Sequence, residues 1–531
     1  MMKPMTWKWM PLLALCAQAA WAQSYKASVT IDAGKGHGAI DPAIYGQYLE
    51  HVEEKDECIY PAIWDDKSPK SDAMGLRKDV IEVAKEMGVP VVRWPGGCFA
   101  DVYHWELATG PREKRPVVPN KHWGGNESNQ FGTDEFLTWS EKVGNEAYIN
   151  VNLGSGTLEE ALRWLEYCHG GPDTTQGERR AANGRKEPYK VPYWGIGNET
   201  WGTWETGHMD AKSYAPKLAE WAAAMKKQDP AIKVLGVGSQ AAKDAEWDKE
   251  VLSKAGHLLD YLTLHVYGSS ILGQEGNYQN VVFTPELMDV RIKRMAKVID
   301  EMKAQVGYAN DVKISIDEWN IRRFITVKGS FHDRLRRRDP RDVADTLFVA
   351  GFFNAMLKNA DRVGMANYVF LVNGHAPLLV NEAGVLKTPL FHVFKEYAAT
   401  MTGDSLAVNV EAPLAKIETV SGGYEKPIRL PKEVIGKGLP YLDAASAKRK
   451  DGAIVISLIN RHETESAEVG LNLPEGYRVT RAWTLGGDDK HAANDFANPD
   501  RIVPVVEDVK ESVSSWTCKP GRVVLLTCSK N

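Results

Sequence analysis

Cysteine, basic charge and long apolar runs are all scarce in this sequence. Only 6 of its 531 residues are cysteine and no two form a C-x-x-C pair, so neither a disulfide-built scaffold nor a structural zinc site is expected. A disulfide between Cys518 and Cys528 stays an open question. Lysine and arginine total 65 against 70 aspartate and glutamate, a formal net charge of −5, which leaves no basic surface for nucleic acid. No segment after residue 22 reaches the roughly 18 apolar residues that span a bilayer, so no membrane partner is expected either.

Residues 1–22 have the pattern of a secretory signal peptide. Lys3 and Lys8 precede an apolar stretch, Trp9–Ala17. Ala-Trp-Ala at positions 20–22 supplies the small residues of a cleavage site. We therefore expect cleavage before Gln23 and a protein that is secreted or periplasmic.

Short apolar runs alternate with amphipathic, helix-period segments from residue 41 to residue 398. Strand and helix repeated eight times over about 350 residues are typical of an α/β fold, the (β/α)8 TIM barrel. A doubly wound sheet needs a glycine turn that opens a helix, whereas the glycine-rich segment 34–38 leads into Asp41-Pro42. The eight predicted strands are Ile44–Leu49, Val89–Trp94, Ala147–Leu153, Tyr193–Ile196, Lys233–Val237, Tyr261–Val266, Lys313–Ile316 and Met365–Leu371.

The pattern changes near residue 399, where helical periodicity stops and β-rich runs alternate with Gly, Pro, Asp and Asn. This pattern predicts an all-β sandwich over residues 399–531. The alternating segment at 24–40, before the barrel, is expected to add an N-terminal strand to that second domain.

Two glutamates stand out among the polar residues that follow the predicted barrel strands. Glu199 follows the fourth strand and Glu318 the seventh, so they should face each other across the mouth of the barrel, where such folds place their active sites. Either glutamate alone would also fit a helix cap or a solvated strand end. Two opposed carboxylates are what cleavage of a glycosidic bond requires, because one protonates the leaving oxygen while the other attacks carbon or activates water. Nearby aromatic rings that could stack on a sugar are Trp94, Trp194, Trp201, Trp204 and Trp319.

The segments around these glutamates resemble glycoside hydrolase family 51, the α-L-arabinofuranosidases. The resemblance extends over about residues 27–400, and the pair R-x-P-G-G and D-E-W-N is its most specific part. The similar segments are Ile44–His51, Arg93–Phe99, Tyr193–Glu199, Leu264–Gly268 and Ile316–Asn320.

This resemblance implies roles for individual residues. Glu199 would be the general acid/base and Glu318 the nucleophile of a retaining double displacement, with no metal and no organic cofactor. The acid should have a raised pKa, and Arg93 or Tyr267 should help keep the pKa of the nucleophile low. The residues expected to contact the substrate or to hold the two carboxylates are Glu50, Arg93, Cys98, Asn198, His265, Tyr267 and Trp319.

The resemblance also implies an activity, the removal of terminal α-L-arabinofuranosyl groups from arabinoxylan, arabinan or their oligosaccharides, and suggests a homo-oligomer. The alternatives are an endo-β-1,4-glucanase or xylanase on the same scaffold and a non-catalytic glycan-binding protein. Arg322 stands where family members commonly carry Trp, and Phe370 where a Gln is common. These two departures leave the aglycone side, and the choice between exo and endo action, open.

Overall fold

A computed structural model describes residues 23–52, 58–271, 277–326, 328, 338–423 and 426–530; the predicted signal peptide lies outside them. Eight parallel strands close into a barrel, and each overlaps one of the eight predicted runs. The predicted (β/α)8 barrel is therefore confirmed. The barrel strands, one to eight, are Gly46–Tyr48, Val91–Trp94, Glu146–Val151, Tyr193–Ile196, Lys233–Gly236, Tyr261–Ile271, Lys313–Phe324 and Val363–Val369.

Strands six and seven are longer than the sequence predicted. They were expected to end at Val266 and Ile316, where the apolar runs stop, but they stay paired to Ile271 and Phe324. These extensions, residues 267–271 and 317–324, lie at the mouth of the barrel, and several of their polar side chains line the cavity there. Polar residues of this part therefore belong to strands rather than to the loops after them.

Amphipathic helices surround the barrel and bury one face each against it. Helix Lys78–Met87, for example, buries Val80, Ile81, Ala84 and Met87, the spacing of a single helical face. The helices are Lys78–Met87, Thr133–Val143, Leu158–His169, Thr175–Ala182, Ala211–Gln228, Ala245–Ala255, Asn277–Val282, Pro285–Val306, Val343–Leu357, Pro389–Thr400 and Lys432–Lys437. In the described part of the chain, no helix has the length and apolar character needed to cross a membrane.

The second domain is a nine-stranded sheet, and its N-terminal strand comes from before the barrel, as predicted. Ser24–Ile40 lies between Gly403–Glu411 and Ser466–Asn472. The sheet folds back on itself, since Asn460 Nδ2 donates to the carbonyl of Cys518 at 2.8 Å although their strands are not neighbours. Its remaining strands are Leu442–Lys448, Ile454–Asn460, Tyr477–Gly486, Val505–Asp508, Ser515–Cys518 and Arg522–Lys530.

The helix Val343–Leu357 lies at the contact between the two domains. Every residue of Val343–Leu357 is buried, because the helix lies between the barrel and the sheet and has no face in solvent. Asn354 on this helix donates to Asp443 of the sheet at 2.8 Å. Cys518 and Cys528 are both free thiols in the core of the sheet; their strands are not hydrogen-bonded neighbours, and the disulfide left open by the sequence is not formed.

Candidate active site

The C-terminal ends of the barrel strands surround a cavity of about 400 Å³. Its wall carries Glu199 from the loop after strand four, His265 from strand six and Glu318 from strand seven. This is the end of the barrel at which such folds place their chemistry. Other side chains that line the cavity are Tyr48, Glu50, Cys98, His122, Trp201, Trp204, Tyr267, Asn320, Arg322 and Phe370.

Glu318 is fixed by two donors, Arg93 on strand two and Tyr267 on strand six. Its Oε1 accepts from Arg93 Nη1 at 2.7 Å, and its Oε2 accepts from the Tyr267 hydroxyl at 2.5 Å. A register shift just before Glu318 places it opposite His265 on strand six, and a shift of this kind re-aims a side chain. Gly97 packs so closely that a Cβ there would lie 2.4 Å from Glu318 Oε1, so only glycine fits.

Glu199 sits in the left-handed backbone region, with φ at 39°, a conformation that non-glycine residues adopt mainly at functional sites. Its Oε1 lies 2.9 Å from His265 Nδ1, and its Oε2 accepts from Trp204 Nε1 at 3.2 Å. Burial raises the pKa of Glu199, but the bond from His265 and the charges of His265 and Arg322 outweigh it, so the pKa lies below its usual range. The raised pKa expected for the acid was wrong for this structure.

His265 lies among three carboxylates. Its Nδ1 is 2.9 Å from Glu199 and 3.5 Å from Glu318, while its Nε2 is 3.2 Å from Asp317. Burial lowers the pKa of His265, yet the charges of Glu318 and Asp317 and the hydrogen bonds raise it to about 10. The ring is therefore an imidazolium at neutral pH. One carboxylate oxygen each from Glu199 and Glu318 and one His265 nitrogen all lie within 4.8 Å of one another.

Arg93 ties three barrel strands together beneath the cavity. It is 1% exposed, and besides its bond to Glu318 its Nη2 donates to Asn198 Oδ1 at 2.9 Å. Its Nε is 3.5 Å from Asp317, which also accepts from the Tyr148 hydroxyl at 2.9 Å. Arg93 and Asn198, both predicted site residues, thus position the carboxylates from below and do not line the cavity.

Glu50 is held by the backbone of the loop after strand two. Its Oε1 accepts from the amide groups of Gly97 and Phe99, both at 3.0 Å. Burial, with the charge of Glu318, raises the pKa of Glu50 to about 7. Glu50 and Cys98, both predicted site residues, line the cavity.

Sequence analysis missed Glu205, which lies in the loop after strand four and is 5% exposed. Its Oε1 accepts from the Cys98 thiol at 2.8 Å and from Asn198 Nδ2 at 3.2 Å. Burial and the charges of Asp101 and Glu199 raise the pKa of Glu205 to about 10, so it is a neutral acid at neutral pH. The one signal was its place six residues after Glu199, inside a Trp-rich loop.

Trp319 does not contact the cavity, contrary to the sequence-based assignment. Successive side chains on a strand point to opposite faces, so when Glu318 faces the cavity its neighbour faces the outer helices. Trp319 is fully buried there, stacked on Phe352 at 5.2 Å and edge-on to Tyr368 at 4.9 Å. Of the five tryptophans singled out, Trp94 and Trp194 are also fully buried, and only Trp201 and Trp204 line the cavity.

The two residues that depart from the family pattern both line the cavity. The Arg322 guanidinium stacks on the Tyr267 ring at 3.7 Å and donates to the carbonyl of Gly423 at 3.3 Å. Phe370 packs on the ring of Tyr48 at 5.5 Å.

A (β/α)8 barrel with two opposed carboxylates and a shared imidazolium at its mouth defines a glycoside hydrolase. Residues 83–281 match the α-L-arabinofuranosidase 1 domain and residues 317–520 the α-L-arabinofuranosidase C-terminal domain. The chain belongs to glycoside hydrolase family 51, the α-L-arabinofuranosidases.

Named relatives resemble the whole chain. The probable α-L-arabinofuranosidase C of Aspergillus niger is 34% identical over 515 residues, covering 94% of this chain and 96% of its own. An exo-α-(1→6)-L-arabinofuranosidase of Bifidobacterium longum is 32% identical over 87% of this chain and 89% of its own. The structure is similar to an arabinose complex of the Thermotoga maritima α-L-arabinofuranosidase, with a TM-score of 0.85 and 33% identity over 95% of this chain and 100% of that one.

Proposed function

We propose that the protein removes terminal α-L-arabinofuranosyl groups from arabinoxylan, arabinan or their oligosaccharides by a retaining double displacement. The observation that carries the mechanism is the approach of a Glu199 oxygen and a Glu318 oxygen to within 4.8 Å. Retaining glycosidases keep their two carboxyl groups about 5–5.5 Å apart, whereas inverting ones leave about 6.5–9.5 Å for a water molecule. An approach this close fits the retaining spacing better than the inverting one, which supports retention.

In the first step, Glu318 attacks the anomeric carbon and forms a covalent glycosyl ester. Arg93 and Tyr267, which donate to its two oxygens, hold it as an oriented nucleophile. The departing oxygen takes a proton from Glu199, and the His265 imidazolium beside Oε1 supplies that proton to the carboxylate. In the second step, Glu199 takes a proton from water and returns it to His265, the water oxygen bonds to the anomeric carbon, and the ester bond to Glu318 breaks.

The arabinose substrate and the exo action are supported by the relatives named above, one of which is an exo-acting arabinofuranosidase and another an arabinose complex. A cavity of about 400 Å³ suits one or two sugar rings rather than a long chain. We also propose that the protein is exported, on the evidence of the signal-peptide pattern in residues 1–22.

Two substrates test this activity. We expect rapid release of nitrophenol from an aryl α-L-arabinofuranoside, and arabinose as the sole small product from arabinan. An enzyme that leaves the aryl arabinofuranoside intact and shortens xylan or glucan chains internally would instead be the endo-acting alternative. Binding of these glycans without any turnover would favour a non-catalytic protein.

A further inference from the structure

A second set of side chains in the cavity has the composition of a metal site. The Cys98 sulfur, a ring nitrogen of His122 and a carboxylate oxygen of Glu205 all lie within 4.8 Å of one another. They come from separate loops, since Cys98 and His122 follow strand two and Glu205 follows strand four. Cys98 and His122 line the cavity, and Glu205 stands behind the thiol, 2.8 Å from it.

We propose that Cys98, His122 and Glu205 bind a zinc ion reversibly and that the bound ion closes the cavity to substrate. Thiolate, imidazole and carboxylate together form a ligand set that suits Zn²⁺. Zinc bonds of about 2.0–2.3 Å require ligand atoms roughly 3.3–3.8 Å apart, so modest side-chain shifts complete the site. Three protein ligands leave the fourth position open, and because Cys98 and His122 line the cavity, the ion would occupy space at its wall.

The electrostatic field around the thiol favours a cation. Burial and the charges of Glu205, Glu50, Glu199 and Glu318 raise the pKa of Cys98 well above its usual range. The negative field that disfavours a lone thiolate attracts a divalent ion, whose charge then stabilises the thiolate. Binding replaces the thiol proton and the proton of Glu205 by bonds to zinc, so two protons are released and the affinity rises with pH.

Glu205 also has an oxygen available for the metal. Its Oε2 is buried and makes no hydrogen bond, an arrangement that folded proteins keep rare. A metal bond to this carboxylate would satisfy it. The other nearby triad, Glu199, His265 and Glu318, contains no sulfur, so its ligand set lacks the thiolate that favours Zn²⁺ in the first.

Cobalt is the probe that separates the two triads, because only the first contains sulfur. We expect Co²⁺ to give a thiolate-to-metal charge-transfer band with one equivalent bound, and Zn²⁺ to displace it. Cys98→Ser should abolish the band. His122→Asn and Glu205→Gln should weaken the affinity at least about tenfold, and His122 is partly exposed, so its variant is not expected to disturb folding. Glu199→Gln is the matched control and should keep the band.

Other outcomes would overturn the site. They are a wild-type protein without a thiolate band at millimolar cobalt, a band that survives Cys98→Ser, and a Glu199→Gln variant that loses affinity as strongly as Glu205→Gln. The other cysteines of the described chain, Cys58, Cys168, Cys518 and Cys528, are all buried, so the thiol signal reports on Cys98. These measurements follow metal binding and not turnover, so their result is independent of the activity proposed above.

Discussion

Arg93 Nη1 donates to Glu318 Oε1 at 2.7 Å, and this buried bond joins strand two to strand seven of the barrel. The same guanidinium holds Asn198, the residue before Glu199. One side chain beneath the cavity therefore sets the positions of both Glu199 and Glu318.

Arg93→Met should remove activity and lower the free energy of unfolding by about 3–5 kcal/mol, because it leaves buried carboxylates without their cation. Arg93→Lys should keep the charge but lose the contacts to Asn198 and Asp317. We therefore expect a large loss of kcat with only a small loss of Tm. Arg180 is the matched control: it is fully buried, it bonds backbone carbonyls far from the cavity, and Arg180→Lys should cost stability while kcat is unchanged. Equal kcat losses in both lysine variants would contradict a positioning role for Arg93.

The two carboxylates should respond differently to truncation. Glu318→Ala should abolish turnover of every substrate. Glu199→Ala should slow natural glycosides by about 10²–10⁴-fold and aryl glycosides with good leaving groups much less, since these need no proton.

Azide assigns the roles directly. With Glu199→Ala it should replace water in the second step and give a glycosyl azide of retained configuration. With Glu318→Ala it should occupy the vacated place of the nucleophile and give the inverted azide. Anomeric NMR of the products distinguishes the two, and exchanged configurations would mean that the roles assigned to the two glutamates are reversed.

The sequence was sufficient for the barrel and for the placing of Glu199 and Glu318 at one cavity. Eight apolar runs of nearly fixed spacing are a strong signal, and Glu199 and Glu318 follow the fourth and the seventh. Trp319 was misplaced because adjacency to Glu318 in sequence means the opposite face on a strand. The alternation applies to Trp319 because strand seven does not end before it but continues to Phe324.

The electrostatics of the site could not be predicted, because they depend on long-range contacts. Nothing near Glu199 in sequence indicates that His265 and Arg322 would lower its pKa. Glu205 escaped notice for the same reason, since its burial against Cys98 is created by the fold. The sequence shows where the ionisable residues are. Whether each one is charged depends on its burial and on the groups that the fold places beside it.

Glu205→Gln should stabilise the protein increasingly as pH rises. The pKa of Glu205 is raised from 4.5 to about 10 on folding, so the wild-type fold must keep a proton that the unfolded chain releases above pH 4.5. Stability of the wild type falls by up to about 1.4 kcal/mol per pH unit across that window. Glutamine retains the acceptor for Cys98 and Asn198 without this cost. We expect equal Tm values near pH 4 and a higher Tm for the variant at pH 8; the opposite order at pH 8 would show that Glu205 is ionised in the fold.

Arg322→Gln should shift the alkaline limb of kcat/KM to higher pH. Arg322 carries a charge that lowers the pKa of Glu199, and the general acid must be protonated to act. Removing the charge raises that pKa, so the limb moves to higher pH. Arg322→Lys keeps the charge and loses the stacking on Tyr267, so the alkaline limb of this variant should stay in place while its KM for longer oligosaccharides rises.

Arg449, in a turn of the sheet domain where it pairs with Asp451, provides the remote control, and Arg449→Gln should leave the pH profile unchanged. A limb that moves equally in the Gln and Lys variants would show that stacking, and not charge, links Arg322 to the acid.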